Sequence, residues 1–211
     1  MTIVSIKSGS DEELRRIELS DGSFFSFKTC YLPPVYSDEN RYCAGIADGL
    51  EISPSEEQGF RFASACLRAE KAALPLIARA EQNSSGLSRK LKKRGHDPAC
   101  IDAVISRLCE TGLLDDRRYA RLWLESRINR QASSPLRLLA ALRTRNIDRH
   151  DAEAVLKEIL DEETERQLLE RYVQKLQRRQ KDTDSAAGRS LRYVLKNEGF
   201  SSLAIQCFFD T

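Results

Sequence analysis

Leu91-Lys92-Lys93-Arg94-Gly95, Leu142-Arg143-Thr144-Arg145-Asn146-Ile147 and Leu195-Lys196-Asn197-Glu198-Gly199-Phe200 are three copies of one pattern. With Gly95, Asn146 and Gly199 as position zero, the copies lie 51 and 53 residues apart. Position −8 holds Leu87, Leu138 and Leu191, and position −4 holds Leu91, Leu142 and Leu195. A base stands at −3 in every copy: Lys92, Arg143, Lys196. Position +2 is Asp97, Asp148 or Ser201, and apolar residues follow at +6 (Ile101, Ala152, Ile205), +9 (Val104, Val155, Phe208) and +10 (Ile105, Leu156, Phe209). A fixed period of this size marks stacked supersecondary units, each too small to bury its own apolar face.

The offsets have local physical meanings. Leucines at −8 and −4 are one helical turn apart on one face. Glycine, or asparagine as its usual substitute, suits the left-handed residue that ends such a helix. The aspartates and the serine at +2 accept hydrogen bonds from the first N–H groups of the next helix, and Pro98 stands where proline is tolerated, at its first position. The pair is a tight helix–turn–helix. Upstream helical stretches run from Ala69 to Arg79, Asp116 to Arg130 and Glu165 to Arg179. The expected fold is mainly α: three three-helix units (61–114, 115–163, 164–211) forming an elongated curved array behind an N-terminal module, 1–60.

In that module, Leu14–Leu19 and Phe24–Phe27 flank Ser20-Asp21-Gly22-Ser23. Asp-Gly between such runs predicts a β-hairpin with a type I′ turn, in a hairpin or three-stranded sheet. Tyr31 to Gly49, with Pro33, Pro34 and Gly45, reads as irregular. Ser53-Pro54-Ser55-Glu56-Glu57 then opens a helix: a capping serine, proline at the first position, acids in the first turn.

Charge is distributed unevenly. The 211 residues carry a net charge of +2, yet residues 1–60 are −6, residues 61–150 are +10 and residues 151–211 are −2. A basic block between acidic flanks favours a polyanionic or acidic partner. Arg89, Lys90, Lys92, Lys93 and Arg94 crowd a helix of about two turns whose inner face is Leu87 and Leu91. Arg117, Arg118 and Arg121 fall within about a 100° arc of the next helix, with Tyr119, Ala120 and Trp123 facing the other way. Arg137, Arg143 and Arg145 follow on the second hairpin. Against a merely solvated face, these cations form the candidate binding patch, because the acids are segregated from them. Trp123, Tyr119 and Tyr172 are expected to pack in the core and not to stack on bases, with Trp123 buried.

Six cysteines (Cys30, Cys43, Cys66, Cys100, Cys109, Cys207) show no zinc-like spacing, and Cys100 and Cys109 read as small apolar residues. Neither a signal peptide nor an apolar run of membrane-spanning length is present, which fits a reducing cytoplasm. Phosphate-loop, metalloprotease and nucleophile-elbow motifs are also missing. His96 and His150 read as exposed turn residues, and Asp115-Asp116 as a helix cap. No enzyme activity, cofactor or metal is expected.

From Ala73 onward the chain resembles the RecX family, bacterial regulators of the RecA recombinase. The resemblance rests on Ala73-Leu74-Pro75-Leu76-Ile77-Ala78-Arg79, on Leu87–Gly95, on Leu108–Arg127 and on Ser134–Ile147. Its most specific part is Gly112-Leu113-Leu114-Asp115-Asp116 followed by Tyr119-Ala120 and Trp123. The chain departs from the family at Ser85-Gly86-Leu87, which lacks an acid, and in a longer segment from Cys30 to Gly49. The resemblance implies a cytoplasmic, non-enzymatic regulator that binds the RecA–single-stranded DNA filament. It implies inhibition of ATP hydrolysis, strand exchange and coprotease activity, and so a place in homologous recombination, DNA repair and the SOS response. A monomer is expected, with single-stranded or double-stranded DNA beside the filament. The competing readings are a direct, sequence-nonspecific DNA-binding repeat protein and a repeat adaptor for ordinary protein partners. The short hairpin helices lack a base-reading cluster of Asn, Gln and Arg, which disfavours sequence-specific readout.

Overall fold

A computed structural model describes residues 1–9, 13–33, 49–180 and 187–210. Among them are three strands, β1 (Ile3–Ser8), β2 (Leu14–Leu19) and β3 (Phe24–Lys28), a 3₁₀ turn at Thr29–Tyr31, and nine α-helices. The helices are α1 (Pro54–Arg79), α2 (Ser84–Lys93), α3 (Pro98–Glu110), α4 (Asp116–Arg130), α5 (Pro135–Arg143), α6 (Arg149–Ile159), α7 (Glu162–Gln180), α8 (Ala187–Asn197) and α9 (Ser202–Asp210). They form two compact units, Met1–Leu114 and Asp115–Thr211. Cys43 and most of the expected irregular segment, residues 34–48, lie outside the described residues.

The repeat turn is built alike three times. Gly95, Asn146 and Gly199 have φ of 83°, 58° and 86°, and Asn146 is the one non-glycine with positive φ among the described residues. In each copy the position-zero N–H donates to the −3 carbonyl: Gly95 to Lys92 at 3.0 Å, Asn146 to Arg143 at 2.9 Å, Gly199 to Lys196 at 3.1 Å. The following N–H donates to the −4 carbonyl: His96 to Leu91, Ile147 to Leu142, Phe200 to Leu195, at 3.3, 3.2 and 3.2 Å. These paired bonds satisfy carbonyls that the helix end leaves open. The +2 residues then cap the next helix: Asp97 accepts from the N–H of Ala99, Asp148 from His150 and Ser201 from Ala204. The −4 leucines are fully buried, and Ile101, Ala152 and Ile205 join them in the cores.

In the first unit β1, β2 and β3 form an antiparallel meander. The Asp-Gly turn is not the predicted type I′. Asp21 does not have positive φ, whereas Gly22 does, at 81°. Gly22 N–H donates to the Leu19 carbonyl and Leu19 N–H to the Ser23 carbonyl. This is the three-residue loop in which a left-handed glycine forms a bulge. The Asp21 carboxylate accepts from the side chain and backbone N–H of Ser23, which holds its pKa below the usual value. Such a loop needs only one residue with positive φ.

Helix α1 opens with a complete capping box: Glu56 N–H donates to Ser53 Oγ, and Ser53 N–H donates to Glu56 Oε2 at 2.7 Å. It therefore starts at Pro54 and passes through residues 60 and 61, where the sequence placed the end of the N-terminal module. Its first half carries the sheet. Phe60 is fully buried, with Phe27 stacked on it at 5.2 Å. Buried Glu70 accepts from Lys28 Nζ at 2.9 Å and from the Tyr31 hydroxyl at 3.0 Å, and Arg107 on α3 meets Glu13 at 2.6 Å. Burial, reinforced by the Glu70 charge, pushes the Tyr31 hydroxyl pKa up. One core unites Ile3, Ile17, Phe27, Phe60, Leu87, Leu91 and Val104.

In the second unit α4–α6 and α7–α9 share one core that includes Leu124, Leu138, Leu142, Val155, Leu168, Tyr172, Leu195 and Phe200. The α5–α6 and α8–α9 hairpins are also linked through backbone, since Leu136 N–H donates to the Glu198 carbonyl at 3.0 Å. A Cβ built on Gly199 would stand 3.3 Å from Leu136 N. On α7, Glu165 accepts from Ser201 N–H and Oγ, both at 2.7 Å, so the acid supports the cap of α9. Cys66 and Cys100 are buried, but Cys109 is exposed in the last turn of α3 and is not the core residue expected.

The turn can be tested by substitution. Asn146→Gly is expected to cost less than a Gly→Ala change at an equivalent position, because glycine adopts the same φ without strain and only the side chain's own contacts are lost. Gly199→Ala is expected to cost at least about 1–2 kcal/mol from left-handed strain, with the Leu136 contact adding to it. Urea midpoints at constant m-value measure both, and equal midpoints for Gly199→Ala and the parent chain would contradict this account.

Candidate functional site

The candidate cations occupy two clusters, one in each unit. In the first unit α2 points Leu87 and Leu91 inward and leaves Arg89, Lys90, Lys92, Lys93 and Arg94 on its outer surface. They crowd the helix C-terminus, where the macrodipole favours positive charge. Two of the five are tied to the scaffold. Lys90 Nζ donates to Gln82 Oε1 at 2.6 Å, and Gln82 in turn donates to the Ala80 carbonyl at 2.9 Å. Arg94 donates to the Ala72 carbonyl at 3.0 Å, in the turn of α1 where Pro75 interrupts the hydrogen-bond ladder. Arg89, Lys92 and Lys93 are exposed, with no hydrogen bond or ion pair among the described residues.

In the second unit most of the candidate cations have intramolecular partners. Arg117 and Arg121, one turn apart on α4, reach the two oxygens of the Glu158 carboxylate on α6. Arg137 lies 3.5 Å from the Glu198 carboxylate, which also accepts from Ser134 Oγ. Arg145 donates to the Ala141 carbonyl at 2.7 Å, and its guanidinium sits 4.3 Å from the centre of the Trp123 ring. Arg118 is half-buried. Arg143 is exposed and lines a shallow groove of about 230 Å³ between α5 and α6 with Leu139, Arg149 and Glu153. Glu153 accepts from Arg149 at 2.7 Å, and its hydrogen bond and charge raise the Arg149 pKa. The exposed, unpaired subset of the expected residues is therefore Arg89, Lys92, Lys93 and Arg143.

Trp123 corrects an expectation. It is half-buried, and the fully buried residue of that turn is its neighbour Leu124. Arg127 stands 5.9 Å and Arg145 4.3 Å from its ring. Tyr119 is also half-buried, whereas Tyr172 lies in the core, 5.5 Å from Phe200. The apolar arc of α4 is narrow, so Ala120, Leu124 and Ile128 fill it and Trp123 is left at its edge.

One basic feature was not read from the sequence. Arg171, Lys175 and Arg178 on α7, spaced four and three residues apart, line a groove of about 390 Å³ with Ala132 and Gln174. Arg171 donates to the Ile128 carbonyl in the last turn of α4 at 3.0 Å, and Lys175 to the Ala132 carbonyl just beyond that helix at 2.8 Å. The net negative charge of residues 151–211 concealed them. The i, i+4, i+7 spacing of three bases was the available signal.

The fold defines a protein of tandem three-helix repeats whose first unit carries a β-meander. A family model described as the second three-helix domain of RecX matches residues 115–156. The regulatory protein RecX of Treponema pallidum (strain Nichols) is 37% identical over 128 residues, which is 60% of this chain and 78% of the relative. That of Halorhodospira halophila is 40% identical over 91 residues, 43% of this chain and 53% of the relative. A crystal structure of a regulatory protein RecX superposes with a TM-score of 0.72 at 21% identity, covering 100% of this chain and 99% of the other. RecX from Lactobacillus salivarius superposes with a TM-score of 0.54 at 21% identity, covering 70% and 96%. These two structures share the fold. The chain belongs to the RecX family of regulatory proteins.

The stacked guanidinium gives a measurable coupling. A double-mutant cycle of Trp123→Ala and Arg145→Ala is expected to return about 0.5–1 kcal/mol, the range of a cation–π contact at an exposed site. Leu124→Ala should cost about 2–5 kcal/mol, as for a buried leucine. A cycle that closes at zero in chemical denaturation would remove the cation–π account of Trp123.

Proposed function

We propose that this chain is a non-enzymatic regulator that binds the RecA–single-stranded DNA filament and inhibits its ATPase, recombinase and coprotease activities. The observation that carries this reading is membership of the RecX family, with 37% identity across 78% of a relative named regulatory protein RecX. The reading places the protein in the cytoplasm, acting as a monomer in recombination, repair and the SOS response. No helix among the described residues is long and apolar enough to cross a membrane, which is compatible with that placement.

The proposed contact residues are the candidate cations, in two roles. Arg89, Lys92, Lys93 and Arg143, exposed and unpaired, meet the filament directly. Their charges displace counterions from the polyanion and pair with acidic groups on its protein coat. Lys90, Arg94, Arg117, Arg118, Arg121, Arg137 and Arg145 are half-buried or bonded within the fold and contribute through the shape and field of the same surfaces. Arg178, exposed on α7, joins the first group, and Lys175, bonded to the Ala132 carbonyl, the second. Cations of this kind make binding depend on salt more than on sequence.

The test is RecA ATPase and strand exchange on single-stranded DNA, with and without the protein, at two salt concentrations. Inhibition is expected to weaken as salt rises through a few tenths molar. The triple charge reversal Arg89→Glu, Lys92→Glu, Lys93→Glu should abolish inhibition while circular dichroism stays unchanged and melting falls only by the lost macrodipole interaction, about 0.3–1 kcal/mol per charge in the last turn, since none of the three anchors the fold. Parallel binding to DNA alone separates this reading from a direct DNA binder. DNA affinity that accounts for the whole effect in the absence of RecA would favour the second reading. Undiminished inhibition by the triple variant would move the contact surface elsewhere.

A further inference from the structure

A groove of about 410 Å³ lies outside both basic clusters, between β3 and α1 of the first unit. One wall is Phe24, Phe25 and Ser26 of β3; the other is Arg61, Ser64, Leu67, Arg68 and Lys71 of α1. We propose that it is a docking site for an extended acidic peptide segment of a partner protein, which adds as a further strand to the free edge of β3.

The strand supplies the first argument. β3 is an edge of the sheet, paired on one side to β2. Leu19 N–H bonds the Ser23 carbonyl and Thr29 N–H bonds the Glu13 carbonyl. Antiparallel pairing alternates, so Phe25 and Phe27 direct their backbone groups at β2 while Phe24 and Ser26 direct theirs away from it. An edge of this kind is a template for another strand.

The helix supplies the second. Ser64 is 8% exposed, and its Oγ is the one buried side-chain nitrogen or oxygen without a hydrogen-bond partner among the described residues. A buried hydroxyl is ordinarily satisfied; Ser64 is among the residues lining the groove, and its covered hydroxyl becomes available to an incoming acceptor only once that acceptor displaces the atoms over it. Arg61, Arg68 and Lys71 flank it and are exposed, Arg61 already bonded to Glu57 one turn earlier on α1. Arg61 to Lys71 spans ten residues, about 15 Å of helix. Side chains on one face of a strand recur every ~6.6 Å, so three acids at alternate positions span ~13 Å and can meet Arg68 and Lys71, with the third sharing Arg61 with Glu57.

The same features disfavour single-stranded nucleic acid. A strand edge offers alternating N–H donors and carbonyl acceptors, and phosphates accept hydrogen bonds without returning any. The aromatic faces that would stack on bases are engaged: Arg16 lies 4.5 Å over Phe24, and Phe25 packs between Phe60, at 6.3 Å, and the Arg61 guanidinium, at 5.6 Å.

The experiment uses the full chain and a fluorescein-labelled peptide of about eight residues alternating valine and glutamate, long enough to pair with β3. Lysine and glutamine counterparts and a labelled oligothymidylate serve as comparisons. Fluorescence polarisation should show saturable binding of the glutamate peptide alone. The double variant Arg68→Glu, Lys71→Glu should weaken it by about tenfold or more. Ser26→Pro, which removes an N–H directed away from β2, should do the same, as should N-methylation of alternate residues of the peptide. The methylated peptide keeps the test valid if the proline variant does not fold. No binding of the glutamate peptide, equal binding of the lysine peptide, or indifference to both methylation and charge reversal would each overturn the proposal. So would an oligothymidylate that alone binds and alone responds to the charge reversal.

Discussion

Everything in the helical part hangs on one backbone hydrogen bond made three times, from the residue after a left-handed position to the carbonyl five residues earlier. That bond sets the direction in which the chain leaves one helix and enters the next. With the direction set, the −8 and −4 leucines of the first helix meet the +6, +9 and +10 side chains of the second, and a core of alternating contributions follows. Position zero tolerates glycine or asparagine because few other side chains accept positive φ without strain. The +2 position needs an oxygen because the next helix begins there with unbonded N–H groups. Requirements of geometry at two positions and of volume at five more define the unit.

This explains what was legible in the sequence. The hairpin turns, the caps at Asp97, Asp148 and Ser201, the start of α1 at Ser53 and the limits of α4 follow from local chemistry, within a few residues of the groups concerned. What was not legible depends on distant partners. Asp21-Gly22 signals a turn, but one residue of positive φ or two is decided by register and bulge. Trp123 falls on an apolar-looking face by periodicity. The buried stripe on α4 is Ala120, Leu124 and Ile128, and it leaves the indole half outside, under Arg145. Cys109 is exposed for a similar reason: apolar character permits burial but does not impose it.

The cations show the same division. Charge density along the chain located the basic block, yet Glu158, far from Arg117 and Arg121 in sequence, accepts both. A run of bases is thus a mixture of struts and free charges, separable only when the acids opposite are known. Exposed ion pairs of this kind add little stability, at most about 1 kcal/mol each, but they fix where a guanidinium points. Arg171 and Lys175 carry the point further. They donate to main-chain carbonyls at and just past the end of α4, contacts in which the acidic excess of their own segment takes no part.

The first turn of α5 is completed from the far end of the unit. Leu136 N–H ends on the Glu198 carbonyl, and the Ser134 hydroxyl on the Glu198 carboxylate, 64 positions away. A chain made from its N-terminus exposes α5 on the ribosome well before Glu198 has been joined. Until then those amide and hydroxyl groups bond to water, and the leucines beneath them lack Leu195 and Phe200. Vectorial synthesis therefore divides the molecule in time. The first unit has its whole core in hand once Leu114 clears the exit tunnel, whereas the second waits for almost its last residue. A nascent chain halted between the two holds a finished sheet and three helices, followed by a partly wetted segment open to chaperones and proteases.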